Sequence, residues 1–354
     1  MIEQKSGLDT HPDTERSIAE YSRGVWAKLR RNPIRQTARI VRRQLREQSL
    51  RMRKCDPGDN AVKVPPMLQP PSLKYAGYEG PWFEEFFLQN YHRSESDGAT
   101  YLPILWDNFF SQAQAHSYWP GEFARRFRAM WRLLEGLSAK DNAYFTVLGI
   151  YDFPIWNWHL FPENIVVLAA NGYGDAAIPL LKGDRAFRSQ AKDIRLSFLG
   201  RTSTHPSRER MREFFGSSAY FWEGDAWEEV MIRTAFSLCP RGLGPASFRM
   251  YEALSLGSVP VYIWEKRKWL PYEDAIDWSK IAIIAEVSEM GRAKERIERI
   301  SDDELSAMQK EIARIYDAYF RYDGAASYIR SKMSGICTRE DAIALTKLRK
   351  DFVF

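Results

Sequence analysis

Between about Ala191 and Ala285 short apolar runs alternate with amphipathic stretches, and this alternation restricts the fold more than any other feature of the 354-residue chain. Arg195–Leu199, Ala219–Trp222, Phe236–Cys239, Val259–Trp264 and Ile281–Ala285 read as strands, with helices at Ser207–Phe215, Ala226–Thr234 and Pro245–Leu256. Parallel neighbours in a sheet need a crossover between them, usually a helix. The pattern therefore predicts a doubly wound α/β domain. An earlier part repeats the theme with apolar runs at Thr100–Trp106, Tyr144–Ile150 and Ile165–Ala169 and a helix at Phe123–Leu137. Strands separated by helices again suggest a parallel sheet. Two such domains suit the length. The predicted organisation is a basic arm (1–54), a proline-rich linker (55–72), an N-terminal Rossmann-like domain (73–190), a C-terminal domain (191–335) and a tail (336–354), with helices such as Asp303–Phe320 near the end. No internal repeat is present.

Hydrophobic residues make up 45% of the chain and charged residues 27%, enough apolar matter for packed cores. The net charge of +5 is unevenly spread: Arg23–Lys54 holds twelve Lys or Arg against the single acid Glu47, which leaves the main body mildly acidic. In this arm Ile34, Ala38, Val41 and Leu45 share one helical face, although Asn32-Pro33 interrupts the pattern. Such a stripe suits a solvated helix docked on the body or an anionic membrane surface reached through residues 23–54. Contact with nucleic-acid phosphates is the weakest reading, because the main body is acidic. Three distant cysteines, Cys55, Cys239 and Cys337, argue against a disulfide framework and a zinc site. With a polar N-terminus and no apolar run long enough to span a bilayer, the expectation is a soluble, cytoplasmic protein, peripheral to the membrane if the arm binds there.

The stretch richest in chemistry runs from Phe236 to Leu254. A buried strand ends at Pro240, a loop with Gly242 and Gly244 follows, and a helix is expected to open near Pro245, where proline is tolerated. Unpaired N–H groups and the positive end of a helix dipole attract anions. The two glycines allow a phosphate to approach the backbone, Arg241 and Arg249 add positive charge, and Ser247 adds a hydroxyl. Glu252, one turn beyond Arg249, suits a ribose, and Gly257 supplies a left-handed cap before the next strand. An ordinary strand–loop–helix turn with an Arg/Glu surface pair explains the same residues. The pattern is neither a Walker loop nor a dinucleotide fingerprint, which disfavours a simple ATPase or dehydrogenase.

Cys-Pro-Arg-Gly-x-Gly, Ala-Ser-Phe-Arg, Glu-Ala-Leu and Gly-Ser-Val-Pro-Val within Leu238–Val261, followed by Leu270-Pro271 and Ile276-Asp277-Trp278-Ser279, resemble the exostosin family of glycosyltransferases. The resemblance is good over about 190–290, fainter over 95–185 and absent from 1–60 and the tail. It implies a GT-B-like architecture: two Rossmann-like domains facing across a cleft, the C-terminal one holding a nucleotide sugar, usually UDP-linked. The implied reaction is inverting transfer to a glycan, free or lipid-linked. Arg241, Gly242, Gly244, Ser247 and Arg249 would then serve the diphosphate and Glu252 the ribose.

Arg201, after the strand ending at Leu199, and Arg208 on the next helix are further candidates for the phosphates, or else surface arginines. An inverting transferase needs a base near the acceptor hydroxyl. Asp152, after the strand Tyr144–Ile150, is the first candidate and Asp107, after Thr100–Trp106, the second. Where the family commonly has tryptophan and glycine after this aspartate, the chain has Phe153 and Pro154. His159 reads as a packed histidine or a third base, and Trp156 and Trp158 as core residues or stacking platforms for the acceptor. No Asp-x-Asp and no His/Cys cluster with ligand spacing occurs, so no metal and no cofactor beyond the nucleotide-sugar co-substrate is expected. A nucleotide-sugar-binding module without catalysis is the alternative from another class, and a nucleic-acid binder acting through the arm is the third.

Overall fold

The computed structural model describes residues 61–70, 81–91, 98–109, 120–149, 161–172, 174–242 and 244–347. The basic arm, Asp152, Trp156, Trp158 and His159 lie outside the described residues.

The first lobe contains helix α1 (Phe83–Asn90), strand β1 (Thr100–Tyr101), helix α2 (Pro120–Ser138), and strands β2 (Tyr144–Leu148), β3 (Ile165–Ala169) and β4 (Ala176–Ala177). The strands pair in parallel in the order β1-β2-β3-β4. β2 and β3 are buried at every position, as their apolar runs, interrupted only by Thr146, require when both faces are covered. The expected strand Thr100–Trp106 stops at Tyr101. Pro103 has no N–H to give a ladder, and Trp106–Phe109 turns into a helical segment whose side chains are still buried. Part of the segment read as a linker packs here too: Leu68 is fully buried, Val62 N donates to Tyr101 O at 3.0 Å, and Leu105 N donates to Leu68 O at 3.2 Å.

The second lobe runs β5 (Ile194–Leu199), α3 (Pro206–Phe215), β6 (Tyr220–Trp222), α4 (Trp227–Met231), β7 (Thr234–Pro240), α5 (Phe248–Ser255), β8 (Val259–Trp264) and β9 (Ile283–Glu286). Its five parallel strands lie in the order β6-β5-β7-β8-β9. The order reverses between β5 and β7, and in open α/β sheets ligands bind outside the carboxyl ends of the strands at such a switch point. Helices α6 (Met290–Arg299), α7 (Asp302–Tyr319), α8 (Tyr322–Ser334) and α9 (Arg339–Thr346) follow. The chain then returns to the first lobe: Tyr322 packs edge-on against Phe83 at 5.4 Å, and Thr346 Oγ1 donates to Glu163 O at 2.8 Å. Residues 336–346, expected as a tail, are thus held against the first lobe, where Thr338 bridges Asn142. Among the described residues no helix is long and apolar enough to cross a membrane.

The two lobes meet at the carboxyl ends of their sheets. Trp269 Nε1, beyond β8, donates to Ala169 O at the end of β3 at 3.1 Å. Gly172, at φ 112°, lies under the Pro245 ring, and Gly244 lies against the Asn171 side chain so closely that a Cβ on either glycine would overlap its neighbour. Gly244→Ala should therefore cost about 1–3 kcal/mol in urea unfolding through overpacking at this seam. Adding Asn171→Ala should recover most of the loss, and a cycle without coupling would show that the seam is loose.

Candidate functional site

At the switch point the chain leaves β5 through Gly200, whose N–H is bonded to Trp222 O at 2.9 Å. Its φ is 153°, and a Cβ there would lie 3.7 Å from Arg249 Nε and 3.9 Å from Arg208 Nη1. Two guanidinium groups thus converge above the end of β5. Arg208 projects from α3, its Nε donating to Arg241 O at 2.9 Å and its Nη1 to Arg201 O at 3.0 Å. Its charge is therefore anchored by main-chain carbonyls, with no carboxylate partner among the described residues. Burial, reinforced by Arg249, lowers the Arg208 pKa to about 10. Arg241, at the end of β7, is buried and directs its N–H to Ile263 O at 3.3 Å.

Helix α5 begins later than its sequence suggests. Ser247, extended at φ −138° and ψ 127°, is the N-cap, while Gly244 and Pro245 remain in the loop that packs against the first lobe. The tight fit at Asn171 gives Gly244 a packing reason of its own. Gly242 N closes the loop onto Ala246 O at 3.2 Å, and a Cβ on Gly242 would touch Arg208 Nη2 at 3.6 Å. Gly242 thus sits beside the cluster. Ser247 Oγ is buried and makes no hydrogen bond among the described residues, and no side chain caps α5. Leaving a hydroxyl buried without a partner costs about 1–3 kcal/mol.

On the first turn of α5, Arg249 is held from several sides. Its Nε donates to Leu199 O, its Nη1 pairs with the buried Glu252, and its guanidinium lies over the Trp227 ring at 4.5 Å. Only Oε2 of Glu252 takes part in that pair among the described residues. Arg201 does not join the cluster: its side chain is 77% exposed and pairs with Glu223 at 3.1 Å. Its carbonyl, rather than its charge, contributes by holding Arg208.

In the first lobe Asp107 is buried in the helical turn after Leu105, under Gly149 at the exit of β2. Its N–H donates to Glu84 Oε2 at 3.0 Å, and Gly149 N donates to Glu84 Oε1 at 2.8 Å. Burial, with the Asp107 charge next, pushes the Glu84 carboxyl well above its ordinary range. Asp107 therefore belongs to a buried acid pair packed under the exit of β2 instead of standing at the end of its own strand. Sequence reasoning missed Glu84, Trp227, Asn171 and His205. The Glu84 carboxylate, for example, is placed by backbone N–H groups from two distant segments, which no local motif announces.

Residues 181–300 match the model of the Exostosin GT47 domain. The C-terminal lobe is exostosin-like. Among curated proteins, the Exostosin-1 homolog of Caenorhabditis elegans is 34% identical over 102 residues, covering 28% of this chain and 26% of that protein. Exostosin-1 of Bos taurus is 31% identical over 97 residues, covering 27% of this chain and 12% of that protein. The match thus spans about a quarter of the worm relative's length and less of the bovine one. Of solved structures, TarM aligns with a TM-score of 0.35 at 8% identity over 55% of this chain and 50% of that one. The pneumococcal O-GlcNAc transferase GtfA, solved with UDP and GlcNAc, aligns with a TM-score of 0.24 at 11% identity over 58% and 45%. The exostosin resemblance noted in the sequence holds over the matched stretch. The paired parallel sheets agree with the two Rossmann-like domains of a GT-B-like fold.

Because Glu252 is buried against Arg249, Arg249→Ala should destabilise the protein by about 3 kcal/mol in urea titration, mostly by stranding the carboxylate. Glu252→Gln in the same background should return a large part of that loss. Equal stability of the single and double variants would mean that the pair carries no burial cost.

Proposed function

We propose that the protein is a glycosyltransferase that moves a sugar from a UDP-linked donor to a glycan acceptor, with inversion and without a divalent metal. The observation that carries this reading is the start of α5, where among the described residues the buried Ser247 hydroxyl has no partner and no side chain caps the helix, beside Arg208 and Arg249 at the switch point. A diphosphate would satisfy all of them together. It would accept from Ser247 Oγ and from the first N–H groups of α5, and its charge would face Arg208, Arg241 and Arg249. The exostosin-like character of residues 181–300 supports the same donor class.

In this reading the guanidinium groups and helix start stabilise the negative charge that grows on the departing diphosphate, work that a metal ion does in other transferases. The second oxygen of Glu252 receives the ribose hydroxyls. The acceptor enters from the first lobe, whose β-strand ends face the donor loop, and its proton passes to Asp152, since Asp107, the other candidate, is buried against Glu84. The acceptor is a glycan, free or lipid-linked, and the basic stretch 23–54 would bring the enzyme to an anionic membrane surface on the cytoplasmic side.

Ser247→Ala separates stability from binding. Without ligand the variant should be as stable as the parent or more so, since an unpaired buried hydroxyl is removed. Its affinity for UDP by calorimetry should fall about threefold to tenfold, the loss of one hydrogen bond worth roughly 1 kcal/mol. Unchanged affinity would remove Ser247 from the site, and absence of UDP binding by the parent would defeat the donor assignment. Transfer or hydrolysis assayed by UDP release should survive added chelator. Loss restored by magnesium or manganese would overturn the metal-independent scheme.

A further inference from the structure

His205 sits in the loop between β5 and α3 at the same edge of the sheet. Its Nδ1 accepts from Ser207 N at 3.2 Å, capping α3, and lies 2.8 Å from Ser207 Oγ. A ring nitrogen that accepts a backbone N–H is unprotonated, so the neutral ring carries its proton on Nε2. Nδ1 also lies 3.8 Å from Glu265 Oε2, just beyond β8. Since β7 runs between β5 and β8, the His205–Glu265 contact spans the strand that leads into Arg241.

The charged groups acting on the imidazole are Arg241, Arg210 and Arg208, which oppose protonation, and Glu265, which favours it. Arg210 itself pairs with Glu265. Burial first, and Arg241 next, hold His205 below the ordinary histidine range. Part of that opposition comes from Arg241 and Arg208, two of the arginines that would hold a diphosphate.

We infer that His205 is a further residue of the donor site: it takes up one proton from solvent when the diphosphate binds, and the resulting imidazolium helps to balance the leaving group's charge. The inference rests on the donor reading above. An anion set among Arg208, Arg241 and Arg249 offsets the part of the opposition that Arg241 and Arg208 supply, while the burial of the ring is unchanged. The new proton goes to Nδ1, which gives up the Ser207 N–H and donates instead to Ser207 Oγ with Glu265 as its counter-charge, while Nε2–H remains a donor throughout. No covalent bond forms or breaks, and the proton returns to solvent when the diphosphate leaves.

The sign of the linkage follows. The bound-state pKa exceeds that of the empty site, so affinity is greatest below the empty-site value, weakens as pH rises from there to the bound-state value, and is constant above it. UDP-glucose is the suitable probe, because its diphosphate diester does not titrate in this range. Calorimetry on the full chain between about pH 5 and 8.5 should show affinity about tenfold weaker at the alkaline end, equivalent to a shift of one pKa unit. Heats in buffers of different ionisation enthalpy should reveal net proton uptake in the pH window where affinity falls. His205→Asn keeps a side-chain oxygen able to cap α3 and cannot titrate. The variant should melt like the parent and show neither the pH dependence of affinity nor the proton uptake. UDP-glucose binding without proton uptake, or an unchanged pH profile in His205→Asn, would overturn the inference and leave the donor site standing. Failure of the parent to bind UDP-glucose at any pH would remove both.

Discussion

Concentrated guanidinium charge at the carboxyl edge of the second sheet is the constraint around which the rest of the molecule is arranged. Arg249 is held by Leu199 O, the Glu252 carboxylate and the Trp227 face, and Arg208 by two main-chain carbonyls. Burying such groups is costly unless each N–H is engaged. The structure meets that demand with backbone oxygens from the ends of β5 and β7, which are available because the parallel strands stop there. The consequence is positive charge offset by few carboxylates at the place where an open α/β sheet receives its ligands.

The first lobe bounds this charge. Asn171 and Gly172 after β3 press on Gly244 and Pro245, so the loop that carries Arg241 and Ser247 is braced from outside its own domain. Trp269 adds a hydrogen bond across the same seam, and α8 and α9 return to the first lobe from the other side. A loop held at both ends loses less conformational freedom when a ligand arrives. The acid pair Glu84 and Asp107 lies at the corresponding edge of the first sheet, so each lobe brings its ionisable groups to the side that faces the other.

Much of this was legible one segment at a time. Ile165–Ala169 and Val259–Trp264 form strands over the residues expected, because unbroken apolar runs bounded by turn residues leave little choice when both faces are buried. Gly257 takes φ 61° at the end of α5, as its place before Val259 suggested. Thr100–Trp106 misled because its side chains are buried for another reason. Leu102 and Trp106 pack in the core although Pro103 ends the ladder, and hydrophobicity alone does not distinguish a buried strand from a buried turn. Pro245 looked like a first helical residue, but its ring serves the seam and the helix waits for Ser247.

The order of apolar and polar residues alone determined the parallel sheets, the loop after Pro240 and the gathering of Arg241, Ser247, Arg249 and Glu252 within one strand–loop–helix unit, since each depends on spacing along a short stretch. Whether Arg208 or Arg201 turns inward, why position 244 is glycine, and which carboxyls are buried together were decided by tertiary contacts. Arg208 reaches the carbonyl of Arg241, Asn171 fills the space beside Gly244, and Glu84 bridges Asp107 and Gly149. These partners lie far apart in the chain, and the environment of a charge is set by what surrounds it in space.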